Sequence, residues 1–139
     1  MPIDFLKQNI LLVALAIISA TMFVWPFLRR SGAKEVSVGD ATLMINRQNA
    51  VVVDVRSPAE FAAGHIADAI NVPADKIADR AGELEKFKGR PIIVTCQSGA
   101  RSASGCGALR KLGFDQLFNL AGGLGAWQQA GMPVRKGNK

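Results

Sequence analysis

An α/β fold built on a mostly parallel sheet is what this sequence predicts, and three observations lead there. Two apolar runs, AVVVDV (50–55) and PIIVT (91–95), are rich in β-branched residues and lack polar alternation, as expected of strands covered on both faces. Helix-start and helix-stop signals fall between such runs rather than in a separate block. Strands and helices therefore alternate along the chain, which argues for a sheet sandwiched between helical layers.

In chain order, Val36 to Val38 starts a short strand, and ATLMINRQ (41–48) suits a helix. AVVVDV is the first strong strand. Ser57-Pro58-Ala59-Glu60 opens a short helix: serine as N-cap, proline at the first helical position, and glutamate closing a capping box. Gly64 would end it. AINV (69–72) is a weaker strand closed by Pro73, and residues 74–88 read as a helix with a break at Gly82. PIIVT begins on Pro91, where a missing N–H is tolerated. SASGCGALRKL (102–112) is a helix stopped by Gly113, LFNL (117–120) the last strand, and LGAWQQA (124–130) a helix stopped by Gly131.

Before this pattern comes NILLVALAIISATMFVWPFL (9–28), with no charged residue. As one helix it would span roughly 30 Å, the hydrocarbon thickness of a bilayer. Phe23, Trp25 and Phe27 gather where interfacial rings belong. A cleaved signal peptide would carry a shorter apolar run and an A-x-A-like cut site, whereas Arg29 and Arg30 follow this one directly. The expectation is a single-pass membrane anchor. Arg29, Arg30 and Lys34 against Lys7 favour residues 29–139 on the cytoplasmic side. The organisation expected is thus a flank 1–8, a transmembrane helix 9–28, a basic linker 29–35, one domain 36–134 and a basic tail 135–139.

The net charge of +6 resides mostly at the ends. Residues 36–134 hold ten Lys/Arg against nine Asp/Glu, so the domain is nearly neutral. No basic stripe with interleaved aromatics marks it as a nucleic-acid binder. Two cysteines and one histidine, without paired-cysteine spacing, give no basis for a metal site.

The chemistry points to TCQSGARS (95–102), a strand end, a tight loop and a helix start. A helix beginning there aims its free N–H groups and positive dipole end at the loop. Gly99 lets successive N–H groups converge, and Arg101 adds a cation. Such surroundings lower the pKa of Cys96 and favour the nucleophilic thiolate. Only Gln97, Ser98, Gly99 and Ala100 separate Cys96 from Arg101. The Cys-x5-Arg loop of protein tyrosine phosphatases is one residue longer and fits a tetrahedral phosphate. This one suits a single extra sulfur atom.

CQSGARS resembles the active-site loop of the rhodanese (thiosulfate sulfurtransferase) family, C-x-x-G-x-R/T. DVRSPAEFAAGHIADAINVP (54–73) and AGGLGAWQQAGMPV (121–134) resemble that family's first and C-terminal signatures, in the same order. The resemblance implies a five-stranded, mostly parallel sheet with helices on both faces and Cys96 at the end of the fourth strand. It implies sulfur transfer through a Cys96 persulfide, with loop N–H groups from Gln97 to Arg101 stabilising the anion and no metal or organic cofactor. The substrates implied are a small sulfur donor such as thiosulfate and a thiol (or cyanide) acceptor; the anchor adds the expectation that the natural acceptor is a protein or low-molecular-weight thiol near the membrane. Asp54 and Arg56 are expected at the same crevice, and Ser102 as a helix cap. His65 is expected to be structural, and Cys106 a packing residue. Gln97 stands where other members often carry a second basic residue, which leaves the entrance less positive. A non-catalytic scaffold or sensor of the same fold, and a phosphatase or arsenate-reductase type of enzyme, remain as alternatives.

Overall fold

The computed structural model describes residues 2–28 and 33–137, with no side-chain description for 26–28. It divides into two units, residues 1–30 and 31–139.

The N-terminal unit corrects the expectation of one uninterrupted transmembrane helix. Helix α1 (Pro2–Gln8) and helix α2 (Ile10–Leu28) are separate, and the segments Pro2–Gln8 and Ile10–Trp25 meet at 86°. The break is at Asn9, whose side-chain amide donates to the Phe5 carbonyl at 2.9 Å. That carbonyl also accepts the Asn9 backbone N–H at 3.1 Å, so the side chain competes for a helical acceptor. Among the described residues no single helix is long and apolar enough to cross a membrane; the bent pair meets that test by length and composition only. Leu11, Leu12, Ile17, Met22 and Phe23 are exposed. Arg29 and Arg30 lie outside the described residues.

In the second unit β1 (Lys34–Val36), β2 (Val51–Asp54), β3 (Ile70–Asn71), β4 (Ile92–Thr95) and β5 (Leu117–Leu120) form one sheet in the order β1-β5-β4-β2-β3. Every pairing is parallel. The expected linker therefore gives up Lys34 and Glu35 to an edge strand. The remaining elements are α3 (Val38–Arg47), α4 (Pro58–Ala63), α5 (Ile77–Arg80), α6 (Ala100–Lys111) and α7 (Gly123–Gln129).

The two-residue period of a strand sorts the core into two halves. Val51, Val53 and Val55 pack with Val94, Ile77, Cys106 and Leu109 on one face. Val52, on the other, packs with Ile93, Met44, Phe61, Leu124 and Trp127. Continuous apolar runs were the sequence signal for this double burial.

The helix expected over 74–88 is instead α5 flanked by 3₁₀ turns at Ala74–Lys76, Ala81–Glu83 and Glu85–Phe87. Ala81, Leu84 and Phe87 are three apart, and the Leu84 and Phe87 N–H groups donate to the carbonyls of Ala81 and Leu84. A three-residue period suits 3₁₀ turns, whose i and i+3 side chains eclipse.

Helix α6 forms despite Gly105 and Gly107, each costing about 1 kcal/mol relative to alanine. A Cβ on Gly105 would meet Val55 Cγ1 at 3.1 Å and Ile77 Cδ1 and Val94 Cγ1 at 3.4 Å. The missing side chain lets α6 lie close on the centre of the sheet. Burial of Leu109, worth roughly 1.5–3 kcal/mol, helps offset the glycines.

Candidate active site

β2 runs on to β3 and β4 runs on to β5 in opposite directions across the sheet, so the crevice between β2 and β4 is its switch point. Cys96 follows β4 there, and α6 begins four residues later. Gly99 is the residue before α6 and has φ +101°, a left-handed conformation that favours glycine. This turn folds the backbone over the sulfur, and the Gly99 N–H donates to Cys96 Sγ at 2.9 Å.

The N–H groups of Ser98 and Ser102 act on the same sulfur, and Ser102 Oγ lies 3.4 Å from it. Burial is the largest single influence on the Cys96 thiol and pushes its pKa up. The hydrogen bonds from Ser102, Ser98 and Gly99 together outweigh it, and the result is a lowered pKa. Of the loop N–H groups expected at this sulfur, that of Gly99 makes a hydrogen bond to it.

Arg101, expected as a cation supporting the loop, interacts with the charge on Cys96 and is also paired with a carboxylate. Its Nη1 and Nη2 each donate at 2.8 Å to the two carboxylate oxygens of Glu60 on α4. Glu60 also closes the capping box, accepting from the Ser57 N–H at 3.3 Å and the Ser57 hydroxyl at 3.1 Å. The Arg101 hydrogen bond first of all, opposed by burial and helped by the Ser57 hydrogen bonds, lowers the Glu60 pKa to about 2. In turn Glu60 is the main influence that raises the pKa of Arg101; the charge on Cys96 is a lesser one.

Asp54 and Arg56 are likewise spent on structure. Arg56 Nη2 lies 2.7 Å from Asp54 Oδ2 and donates to the Gly64 carbonyl at 2.7 Å, and Arg56 Nε reaches Asp54 Oδ1 at 2.9 Å. Both residues are buried. They stitch β2 to the end of α4. His65 is buried too, with Nδ1 2.9 Å from the Phe61 carbonyl and its ring stacked on Phe61 at 3.8 Å.

Ser102 does not cap α6. It is the third residue of the helix, with Oγ 3.0 Å from the Gly99 carbonyl and 2.5 Å from Asn119 Oδ1. The Asn119 amide nitrogen donates to that same Gly99 carbonyl at 3.2 Å. Since Gly99 O only accepts, the amide nitrogen must face it, and Oδ1 faces Ser102. Gln97, Ser98, Ala100 and Arg101 are exposed around this buried centre.

Three contributors escaped sequence reasoning: Asn119, Gly123, and Glu60 as the partner of Arg101. An asparagine inside the apolar strand LFNL was the one available signal for the first. Gly123 has φ +59°, and a Cβ there would overlap the Cys96 carbonyl oxygen. Its neighbours, the Leu124 and Gly125 N–H groups, donate to the Cys96 and Gln97 carbonyls at 2.7 and 3.1 Å. The start of α7 therefore clamps the loop from behind. Cys106 is buried in α6, and desolvation first of all pushes its pKa up to about 11. Among the described residues, no group of three His, Cys, Asp or Glu side chains is placed to hold a metal.

Residues 37–130 match the rhodanese-like domain family. The chain belongs to that family. The uncharacterized protein YibN of Escherichia coli K12 is 42% identical over 108 residues, 77% of this chain and 76% of its relative. Thiosulfate sulfurtransferase GlpE of Shewanella oneidensis is 32% identical over 100 residues, 72% of this chain and 97% of the other. A crystal structure of a rhodanese-related protein from Thermoplasma volcanium superposes with a TM-score of 0.64 at 31% identity, covering 73% of this chain and 97% of that one. This rhodanese-like chain thus has relatives named as sulfurtransferases, and it shares its fold with the rhodanese-related protein.

Proposed function

We propose that this rhodanese-like domain transfers sulfane sulfur through a persulfide on Cys96. The observation that carries the reading is the Gly99 N–H at 2.9 Å from Cys96 Sγ, and the lowered pKa of that thiol supports it. The similarity to thiosulfate sulfurtransferase GlpE supports it.

In the first step the Cys96 thiolate attacks the outer sulfur of a donor such as thiosulfate. A new S–S bond forms, the donor's S–S bond breaks, and sulfite leaves with that bond's electron pair. The Gly99, Ser98 and Ser102 N–H groups then face an anion on the added sulfur, as an oxyanion hole does for oxygen. In the second step an acceptor thiolate, or cyanide, attacks the outer sulfur and Cys96 leaves as thiolate. The loop spacing, one residue short of a phosphate cradle, argues against phosphoryl chemistry.

The N-terminal unit extends this reading to location. The apolar side chains exposed along α2 support a domain held at a membrane, and the basic residues that follow favour its cytoplasmic face. A membrane-bound catalyst meets membrane-proximal thiol acceptors at raised effective concentration. Fractionation of cells after alkaline washing should leave the chain in the membrane pellet; release into the wash would defeat the tether.

Sulfur transfer is tested by intact mass after incubation with thiosulfate. The wild type and Cys106→Ala should each gain one sulfur atom, which cyanide removes, and Cys96→Ala should gain none. Loading of the Cys96→Ala chain, or no loading of the wild type from thiosulfate or a persulfide donor, would defeat the mechanism.

A further inference from the structure

Arg56, just after β2, and Arg101, in the loop itself, are both committed to carboxylates. Arg56 is fixed by Asp54 and the Gly64 carbonyl. Arg101 is exposed, close enough to Cys96 to interact with its charge, and yet both of its terminal nitrogens are closed onto Glu60. A guanidinium is otherwise the side chain best shaped to take two oxygens of a planar or tetrahedral oxyanion. Glu60 is not free to swing away, because the Ser57 N–H and hydroxyl hold the same carboxylate.

We infer that Glu60 is a specificity-determining residue: by occupying the fork of Arg101 it withholds the loop's side-chain cation from oxyanion-bearing donors and favours a persulfide, R–S–SH, over thiosulfate. The inference rests on the persulfide route proposed above. The backbone N–H groups bind whatever sulfur sits beyond Cys96 and do not distinguish donors. What differs is the rest of the donor. Thiosulfate brings sulfonate oxygens that need a cation, and they meet an ion pair whose carboxylate repels them. A persulfide brings none. The Cys96 thiolate attacks its outer sulfur, the R–S bond to that sulfur breaks, and RS⁻ leaves with the electron pair while Cys96 keeps S–SH.

The test uses the full chain in detergent and measures initial rates of Cys96 loading. One donor is thiosulfate and the other an alkyl persulfide with no further charged group. Glu60→Gln keeps a residue type that a capping box accepts, and Arg101→Gln and the double variant complete a cycle. The thiosulfate KM should fall about fivefold in Glu60→Gln, the worth of one exposed ion pair. It should rise by a similar factor in Arg101→Gln, which exposes Glu60. In the double variant it should return to within about twofold of the wild type. The alkyl persulfide KM should move less than about twofold throughout. A double variant whose thiosulfate KM lies many-fold above the wild type would show Arg101 gripping the sulfonate directly and overturn the inference, as would parallel shifts for both donors. Should neither donor load Cys96, the sulfur-transfer reading fails with it; loading by both with the wrong KM order sinks this inference alone.

Discussion

Strands β2 and β4 lie side by side at the centre of the sheet and both end in a polar turn, yet the two turns are put to opposite uses. β2 ends in Asp54 and Arg56, full charges that are buried, paired and tied to the Gly64 carbonyl. β4 ends in Cys96, whose partners are mostly backbone N–H groups and one hydroxyl. Full charges in the interior must be satisfied by fixed partners and so become framework. Backbone dipoles cost no side-chain entropy to aim and can serve an atom that arrives later. The sheet places the rigid turn beside the reactive one.

Breaking the β2 side should have the largest effect. Asp54→Ala leaves Arg56 buried without its carboxylate, at a cost of about 3–5 kcal/mol. Thermal unfolding should show a Tm lower by about 15 °C or more, whereas the donor KM of whatever remains folded should stay close to the wild type. A variant with normal Tm and a raised KM would place Asp54 in substrate binding after all.

Breaking the β4 side should reverse that balance. In Gly123→Ala the new methyl group overlaps the Cys96 carbonyl oxygen at a left-handed backbone position. The clamp from Leu124 is then displaced. Sulfur loading should slow by about 100-fold, against a stability loss of about 1–3 kcal/mol. Equal rates in the two chains would mean that the clamp does not position the loop.

The smallest effects sharpen the comparison. Ser102→Ala removes a hydrogen bond that lowers the Cys96 pKa, so the rising limb of the loading rate against pH should move to higher pH. An unmoved limb would leave the lowering to the backbone alone. Cys106, ten residues on in the same helix layer, should stay inert. With its pKa pushed up to about 11, only about one molecule in a thousand is thiolate at pH 8. Iodoacetamide should therefore modify Cys96 first and reach Cys106 only after unfolding, as peptide mass mapping would show.

The elements that sequence patterns located well are those in which a local rule and burial agree. The capping box at Ser57 to Glu60, the buried runs of β2 and β4, and the turn at Gly99 all belong to this class. What stayed hidden needed neighbours distant in the chain. Nothing near Arg101 shows that Glu60, 41 residues earlier, will lie opposite it. Asn119 faces Ser102 only because β5 pairs with β4. The break at Asn9 and the 3₁₀ turns after Ile77 reflect backbone choices that apolar spacing leaves open.

The C-terminal segment, expected as a basic tail, is partly sewn into the domain. Arg135 and His65 exchange two backbone hydrogen bonds at 2.8 and 2.7 Å, and the Gly137 N–H donates to the Ala62 carbonyl at 2.8 Å. Those bonds end on α4 and the residues just after it, and α4 carries Glu60. A load applied to the C-terminus, by a fusion partner or a surface attachment, would thus be felt first at the helix that holds Arg101. An affinity handle placed there would therefore pull on the helix that carries Glu60.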